Sequence, residues 1–247
     1  IMAFLVWTVS SFGINTADTR MMQQPAISAG KIAFIYANDL WTAAIDCSNP
    51  RRLTADERIE SFPCFSPDGK WIAYIQTDSS AVPKRPILVP GDPTYRGFRE
   101  QRYERIGGPI STFRIGVVSV EGGSTRWIEL ADKPGTFYLG QVSWAGNSDE
   151  LLVEKLSRSR DAREFLLVNH RTGAIAKAYA ETDPAWVDSN LSANGGLEWI
   201  DGGKAFVIIS EKDGWRRAYV VSRDGSGMRP ITPAGSDLIA RGQVDDK

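Results

Sequence analysis

The feature that most constrains this chain is a word that recurs along it: an aromatic residue, a polar turn of Gly, Asp or Asn, then an apolar run. Phe65-Ser66-Pro67-Asp68-Gly69-Lys70 leads into Trp71-Ile72-Ala73-Tyr74-Ile75. Trp144-Ala145-Gly146-Asn147-Ser148-Asp149 leads into Leu151-Leu152-Val153, and Trp199-Ile200-Asp201-Gly202-Gly203-Lys204 into Ala205-Phe206-Val207-Ile208-Ile209. Such turn residues tolerate positive φ and close tight hairpins, and the aromatic and the strand behind it suit a pleated, half-buried surface. A second apolar run follows each, at 115–120, 165–168 and 219–221, and each ends in its own turn: Glu121-Gly122-Gly123, Arg171-Thr172-Gly173 and Asp224-Gly225. A last short strand closes the unit, twice in similar words, Arg51-Arg52-Leu53-Thr54 and Arg229-Pro230-Ile231-Thr232. This order fits a four-stranded antiparallel blade better than a βαβ unit. The recurrence predicts an all-β chain, a β-propeller with about four blades and part of another.

The units place blades at about 27–54, 62–130, 138–180 and 197–232, with 238–247 opening the next and 27–247 forming one partial propeller. A partial ring leaves two open faces, so the chain reads as an excerpt of a longer protein. The second blade is interrupted at 83–109 by the longest irregular stretch, in which Pro83, Pro86, Pro90 and Pro93 are followed by Arg96, Arg99, Arg102 and Arg105 at three-residue spacing. That spacing predicts a short helix over about 97–105 with Arg99, Arg102 and Arg105 along one side, where they would attract a carboxylate of a substrate or of a further domain. A solvated excursion is the other reading of the same stretch.

Composition supports strands over helices, with 8 Trp, 7 Tyr and 10 Phe beside 23 Gly and 13 Pro in 247 residues. Lys and Arg number 29 against 30 Asp and Glu, a net charge of -1, so no basic stripe of the kind that nucleic acid requires is implied. Residues 1–26 open with the apolar run Ile1-Met2-Ala3-Phe4-Leu5-Val6-Trp7, too short to span a bilayer, and read as the remnant of an export signal and a linker. The expected location is periplasmic or extracellular. An oxidising compartment would permit Cys47 and Cys64 to pair, and two separate thiols are the other reading. One histidine and no Cys-x-x-Cys leave no zinc site, and no motif calls for a metal or another cofactor.

The aromatic-Ser-Pro-Asp-Gly turn resembles the propeller repeats of the Tol-associated periplasmic propeller, tricorn-type proteases and the prolyl oligopeptidase clan. More specific words follow in order: Tyr103-Glu104-Arg105-Ile106-Gly107-Gly108-Pro109, Tyr138-Leu139-Gly140-Gln141-Val142-Ser143-Trp144, Glu181-Thr182-Asp183-Pro184-Ala185-Trp186-Val187-Asp188, and Ser210-Glu211-Lys212-Asp213-Gly214-Trp215. Together they are similar to the N-terminal domain of dipeptidyl peptidase IV-like serine peptidases, from about residue 62 to the end. The resemblance implies a propeller that gates and positions peptides in a cavity shared with a C-terminal α/β-hydrolase domain; oligomers are possible. A non-enzymatic periplasmic scaffold that binds protein partners is the alternative.

The chain departs from the family in two ways. It has no Gly-x-Ser-x-Gly elbow, and its only histidine, His170, falls in a turn and is expected to be solvated, so the segment should carry no catalytic residue. Nor does it contain the adjacent glutamates with which the family binds a free amino terminus. At the stretch the resemblance aligns with that pair, Trp186-Val187 is followed by Asp188-Ser189-Asn190. Trp186, Asp188 and Asn190 are therefore the candidate lining for a peptide, against the reading of Trp186 as a core residue between blades. Glu57 and Glu60 are expected to be ordinary loop charges.

Overall fold

A meander of four antiparallel strands recurs four times in the computed structural model, which describes residues 22–88, 98–188 and 197–239. The first sheet comprises β1 (Met22–Ser28), β2 (Lys31–Tyr36), β3 (Asp39–Ala44) and β4 (Arg51–Arg52). The second begins with β5 (Ile59–Phe65) and β6 (Trp71–Asp78), detours through a separate pair, β7 (Lys84–Leu88) and β8 (Phe98–Arg102), and ends with β9 (Thr112–Ser119) and β10 (Arg126–Ile128). The third comprises β11 (Phe137–Trp144), β12 (Glu150–Ser157), β13 (Ala162–Asn169) and β14 (Ile175–Thr182). The fourth comprises β15 (Glu198–Ile200), β16 (Ala205–Ser210), β17 (Arg217–Ser222) and β18 (Met228–Pro230). Helix among the described residues is limited to a 3-10 turn at Asp201–Gly203. The architecture is the all-β propeller of four-stranded blades that the repeat predicts. Residues 22–26, expected to belong to the export remnant and linker, instead open β1 of the first blade, which pairs with β2. Residues 1–21 of that expected segment and residues 240–247 of the expected next blade lie outside the described residues.

The recurring word is the turn between the first two strands of a blade. Ser66 Oγ donates to Asp68 Oδ1 at 2.6 Å and accepts the Trp71 N–H at 3.0 Å, while Gly69, at φ +69°, donates its N–H to the Ser66 carbonyl at 2.8 Å. The left-handed position explains the glycine, and the side-chain bonds explain Ser and Asp.

Period-two alternation then assigns each strand to two seams. On β6, Ile72 and Tyr74 pack with Ala33, Ile35 and Leu40 of the first blade, while Ala73 and Ile75 pack with Val142, Leu151 and Val153 of the third. Leu152 of β12 faces the opposite way and joins Phe165, Phe206 and Ile208 between the third and fourth blades. Burial on both faces is why these strands read as continuous apolar runs.

The leading strands of the first three blades each carry a register shift, between Gln23 and Ala26, Ser61 and Cys64, and Leu139 and Val142. Two of these bulges aim a glutamine at the next blade. Gln24 Oε1 accepts the Phe62 N–H, and Gln141 accepts the Leu197 N–H at 2.7 Å while donating to the Leu197 carbonyl at 3.3 Å.

His170 corrects the expectation of a solvated turn. It is 1% exposed, with its ring 5.3 Å from both Trp71 and Trp144. The turn that carries it folds into the seam between the second and third blades because its N–H is held by the Asp149 carbonyl (3.0 Å) and its carbonyl accepts from Arg126 (3.1 Å). Neither ring nitrogen has a partner in good hydrogen-bond geometry. Burial, then the charges of Arg126 and Arg171, hold the imidazole below the usual histidine range; the Ser148 backbone and Asp149 act weakly the other way. A base whose folded-state pKa is depressed binds fewer protons folded than unfolded. Its stability is therefore complete above about pH 6.5 and is lost as pH falls below that value, by at most about 1.4 kcal/mol per pH unit. Urea titrations at pH 7 and pH 5 should show a steeper loss in the parent chain than in His170→Leu; parallel losses would refute the assignment.

The cysteines are two free thiols. Cys47 is exposed, and Cys64 lies in β5, where burial pushes its pKa up to about 12.

Candidate functional site

In an antiparallel meander the second-to-third strand turns and the blade-to-blade connections emerge at the same end of every sheet. Here that end collects the 79–111 excursion, the 158–161 and 211–216 turns, and the 53–58, 129–136 and 183–188 connections. Arg158 stitches them together, donating to the carbonyls of Gly108 and, at 3.3 Å, Gly135.

The 183–188 connection is built around Asp183. Its Oδ1 accepts the N–H groups of Trp186 (3.0 Å) and Ala185 (2.7 Å), bonds that hold the carboxyl below the usual carboxylate range. Val187 is the buried residue, 4% exposed, and donates its N–H to the Arg160 carbonyl at 2.7 Å. Trp186 therefore projects from the rim, 58% exposed, which excludes the core reading of this residue. The Arg160 guanidinium lies 5.8 Å from its ring and 4.9 Å from that of Tyr138. Asp188 pairs with Arg216 at 3.4 Å, so it anchors the connection to the fourth blade. Asn190 lies outside the described residues.

The arginines differ from the helix expected of them. Residues 98–102 form β8, paired antiparallel with β7 so that Lys84 faces Arg102 and Ile87 faces Arg99. Like charges at three-residue spacing disfavour a helix, and the ladder with β7 satisfies the backbone instead. Alternation puts Arg99 and Arg102 on opposite faces, and Arg105 lies beyond the strand. Arg99 donates to Gln101 at 3.0 Å, and Arg102 donates to the carbonyls of Ser80 (2.8 Å) and Val82 (2.7 Å).

Arg102 closes one wall of a cleft of about 680 Å³ whose other charged residues are Asp56, Glu57, Arg58 and Asp78. Arg58 bridges Asp56 (3.1 Å) and Asp78 (3.2 Å). Hydrogen bonds from Ser80, then from Arg58, keep the Asp78 carboxyl below the usual range. The cleft is open at the rim and carries one more acid than base.

Three further acids were missed by sequence reasoning. Glu60 is no loop charge: it is 1% exposed and accepts from Leu40 N–H (3.1 Å), Gln76 Nε2 (3.3 Å) and the Thr54 hydroxyl, with burial raising its pKa. Glu154 and Glu181 flank Arg163 between the third and fourth blades. The guanidinium contacts Glu181 directly, lies 3.7 Å from Glu154, and donates to the Ile209 carbonyl at 2.9 Å. Tyr179 and Ser210 also donate to Glu181, at 2.7 and 2.5 Å. The available signal was a charge at an inward-facing strand position, as in Leu152-Val153-Glu154.

The sequence profile described as the dipeptidyl peptidase IV (DPP IV) N-terminal region matches residues 59–247. The chain belongs to this family. Dipeptidyl peptidase 4 of Trichophyton equinum is 23% identical over 192 residues, which cover 74% of this chain and 24% of that protein. The Trichophyton rubrum protein of the same name is 24% identical over the same shares. The crystal structure of Porphyromonas gingivalis dipeptidyl peptidase 4 superposes with a TM-score of 0.78 at 22% identity, over 89% of this chain and 33% of that one. The chain thus spans about a quarter of the length of these curated relatives. Within this region Asp56 and Glu57 are adjacent acids in the lining of the rim cleft, and Trp186 lies on a separate connection.

Proposed function

We propose that this chain is the propeller of an exported serine peptidase, where it limits access to a catalytic domain outside the segment and holds peptides by their amino terminus. The observation that carries the reading is the rim cleft of about 680 Å³, in which Asp56 and Glu57 stand side by side. An ammonium group needs anionic acceptors, and charge-assisted hydrogen bonds to paired carboxylates provide them. Asp56 is partly satisfied by Arg58, which leaves Glu57 as the acceptor with most to offer. Trp186 forms an apolar wall elsewhere on the same rim. The absence of a nucleophile elbow from the sequence, and the burial of His170 between two tryptophans in a turn at the opposite end of its blade, support a non-catalytic role.

In the peptidase that contains this chain, Glu57→Gln should raise KM for dipeptidyl reporters about tenfold with kcat nearly unchanged, because such a contact acts on ground and transition states alike. Trp186→Ala should shift KM in the same direction by a smaller factor. The 247-residue chain alone should release no product. Unchanged KM in Glu57→Gln, or hydrolysis by the isolated chain, would overturn the reading.

A further inference from the structure

A second cleft, of about 340 Å³, opens at the base of the β7–β8 hairpin, lined by Pro83, Arg85, Tyr103, Arg105, Ile106 and the 107–109 turn. Its chemistry differs from that of the acidic cleft that Arg102 lines. The only charged residues in the lining are two arginines. The adjacent acid, Glu104, is turned away, its carboxylate accepting both the N–H and the hydroxyl of Ser111 at 2.7 Å. Arg85 Nε is buried with no hydrogen-bond acceptor; Arg163 Nε is in the same position, but the terminal nitrogens of that guanidinium already hold Glu154 and Glu181. A guanidinium nitrogen withdrawn from water without a partner is costly, and an incoming carboxylate would relieve that cost. Beside the arginines, Tyr103 is 54% exposed and Ile106 fully exposed, an apolar surface that a soluble chain gains nothing by presenting to water.

We infer that this cleft docks an acidic, apolar peptide segment of a partner protein, its carboxylate held by Arg85 and Arg105 and a neighbouring apolar side chain resting on Tyr103 and Ile106. The charge of the lining selects a carboxylate over an ammonium. The exposed apolar pair favours a peptide over a free inorganic anion, and the small volume admits about one or two side chains. The site is distinct from the ammonium-binding cleft, so the two proposals fail independently.

The probe is a fluorescein-labelled hexapeptide alternating Leu and Glu, followed by anisotropy with the purified chain; the Gln-for-Glu peptide and inorganic phosphate complete the set. The Glu peptide should bind at least about tenfold more tightly than the Gln peptide, with affinity falling as salt rises. Phosphate at the same concentration should not displace it. Arg105→Gln and Ile106→Ser should each weaken binding at least fivefold, and Arg229→Gln, which removes a charge from exposed β18, should leave it unchanged. Both test residues lie outside the blade cores, and retention of the far-UV spectrum verifies their fold. Equal affinity for the Gln peptide, displacement by phosphate, or binding that survives both substitutions would overturn the inference.

Discussion

Replacing Arg163 with methionine should destabilise the chain by about 3–5 kcal/mol, the range found when one partner of a buried ion pair is removed. The side chain is 6% exposed and stands between Glu154, 2% exposed, and Glu181, 10% exposed. Without the guanidinium two carboxylates remain in the seam, and the Ile209 carbonyl loses its donor. Glu154 is already pushed above the usual carboxylate range by burial, with the Arg163 charge as the main opposing influence. In the variant that opposition disappears, and the cheapest relief is proton uptake. A carboxyl whose folded pKa is raised binds more protons folded than unfolded, so its folded state gains as pH falls towards the unfolded value and loses as pH rises through the folded one. The deficit of Arg163→Met in urea titrations should therefore be larger at pH 8 than at pH 5. A triple variant that also carries Glu154→Leu and Glu181→Leu should recover most of the loss, short of the hydrogen bonds that Tyr179 and Ser210 give up, at about 1 kcal/mol each. A single variant within 1 kcal/mol of the parent at pH 8 would mean that the network contributes no stability.

Much of the fold was legible because the blade is a local unit. The Ser66-Pro67-Asp68-Gly69 turn contains its own explanation, and the apolar runs behind it, such as 71–75 and 205–209, bury both faces and need no distant information to be read as strands. The errors fell where a residue's environment is supplied by another blade. His170 sits in a turn by sequence, yet Trp71, a hundred residues earlier, closes over it. Glu60 looks like a connection charge until Leu40 and Thr54 from the first blade cap its carboxylate. The arginine spacing at 99, 102 and 105 is an exception of another kind: it satisfied a helical period by coincidence, because β7, the strand that pairs with β8, lies earlier in the same excursion and outside the three-residue pattern. The candidate site was legible only as a stretch of chain: Trp186 was singled out, but Asp56 and Glu57 become a cleft only when β6 and the start of the excursion close around them.

Phe165→Ala should cost about 3–5 kcal/mol, as large aromatic truncations in a packed core do. The ring is 0% exposed and lies in the seam between the third and fourth blades, 6.1 Å from Tyr179 and 6.3 Å from Phe206, with Leu152, Leu167 and Ile208 completing the cluster. Phe206 in turn meets Trp199 edge-on at 5.3 Å, so the four rings, Tyr179, Phe165, Phe206 and Trp199, run across the seam from one blade into the next. A sheet supplies each blade's ladder hydrogen bonds internally, which leaves side-chain packing and a few side-chain bonds, from Arg163, Arg223, Gln141 and Ser210, as the ties across this seam. Truncating Phe165 opens a cavity that rigid sheets on both sides cannot close. Phe206→Ala alone should cost a similar amount. The double variant should lose less than the sum, by about 0.5–3 kcal/mol, because the second truncation opens into a space that the first has already emptied. Strict additivity in urea midpoints would show that the two rings are packed independently, and a loss under 1 kcal/mol for Phe165→Ala would show that the blades adhere through their polar ties instead.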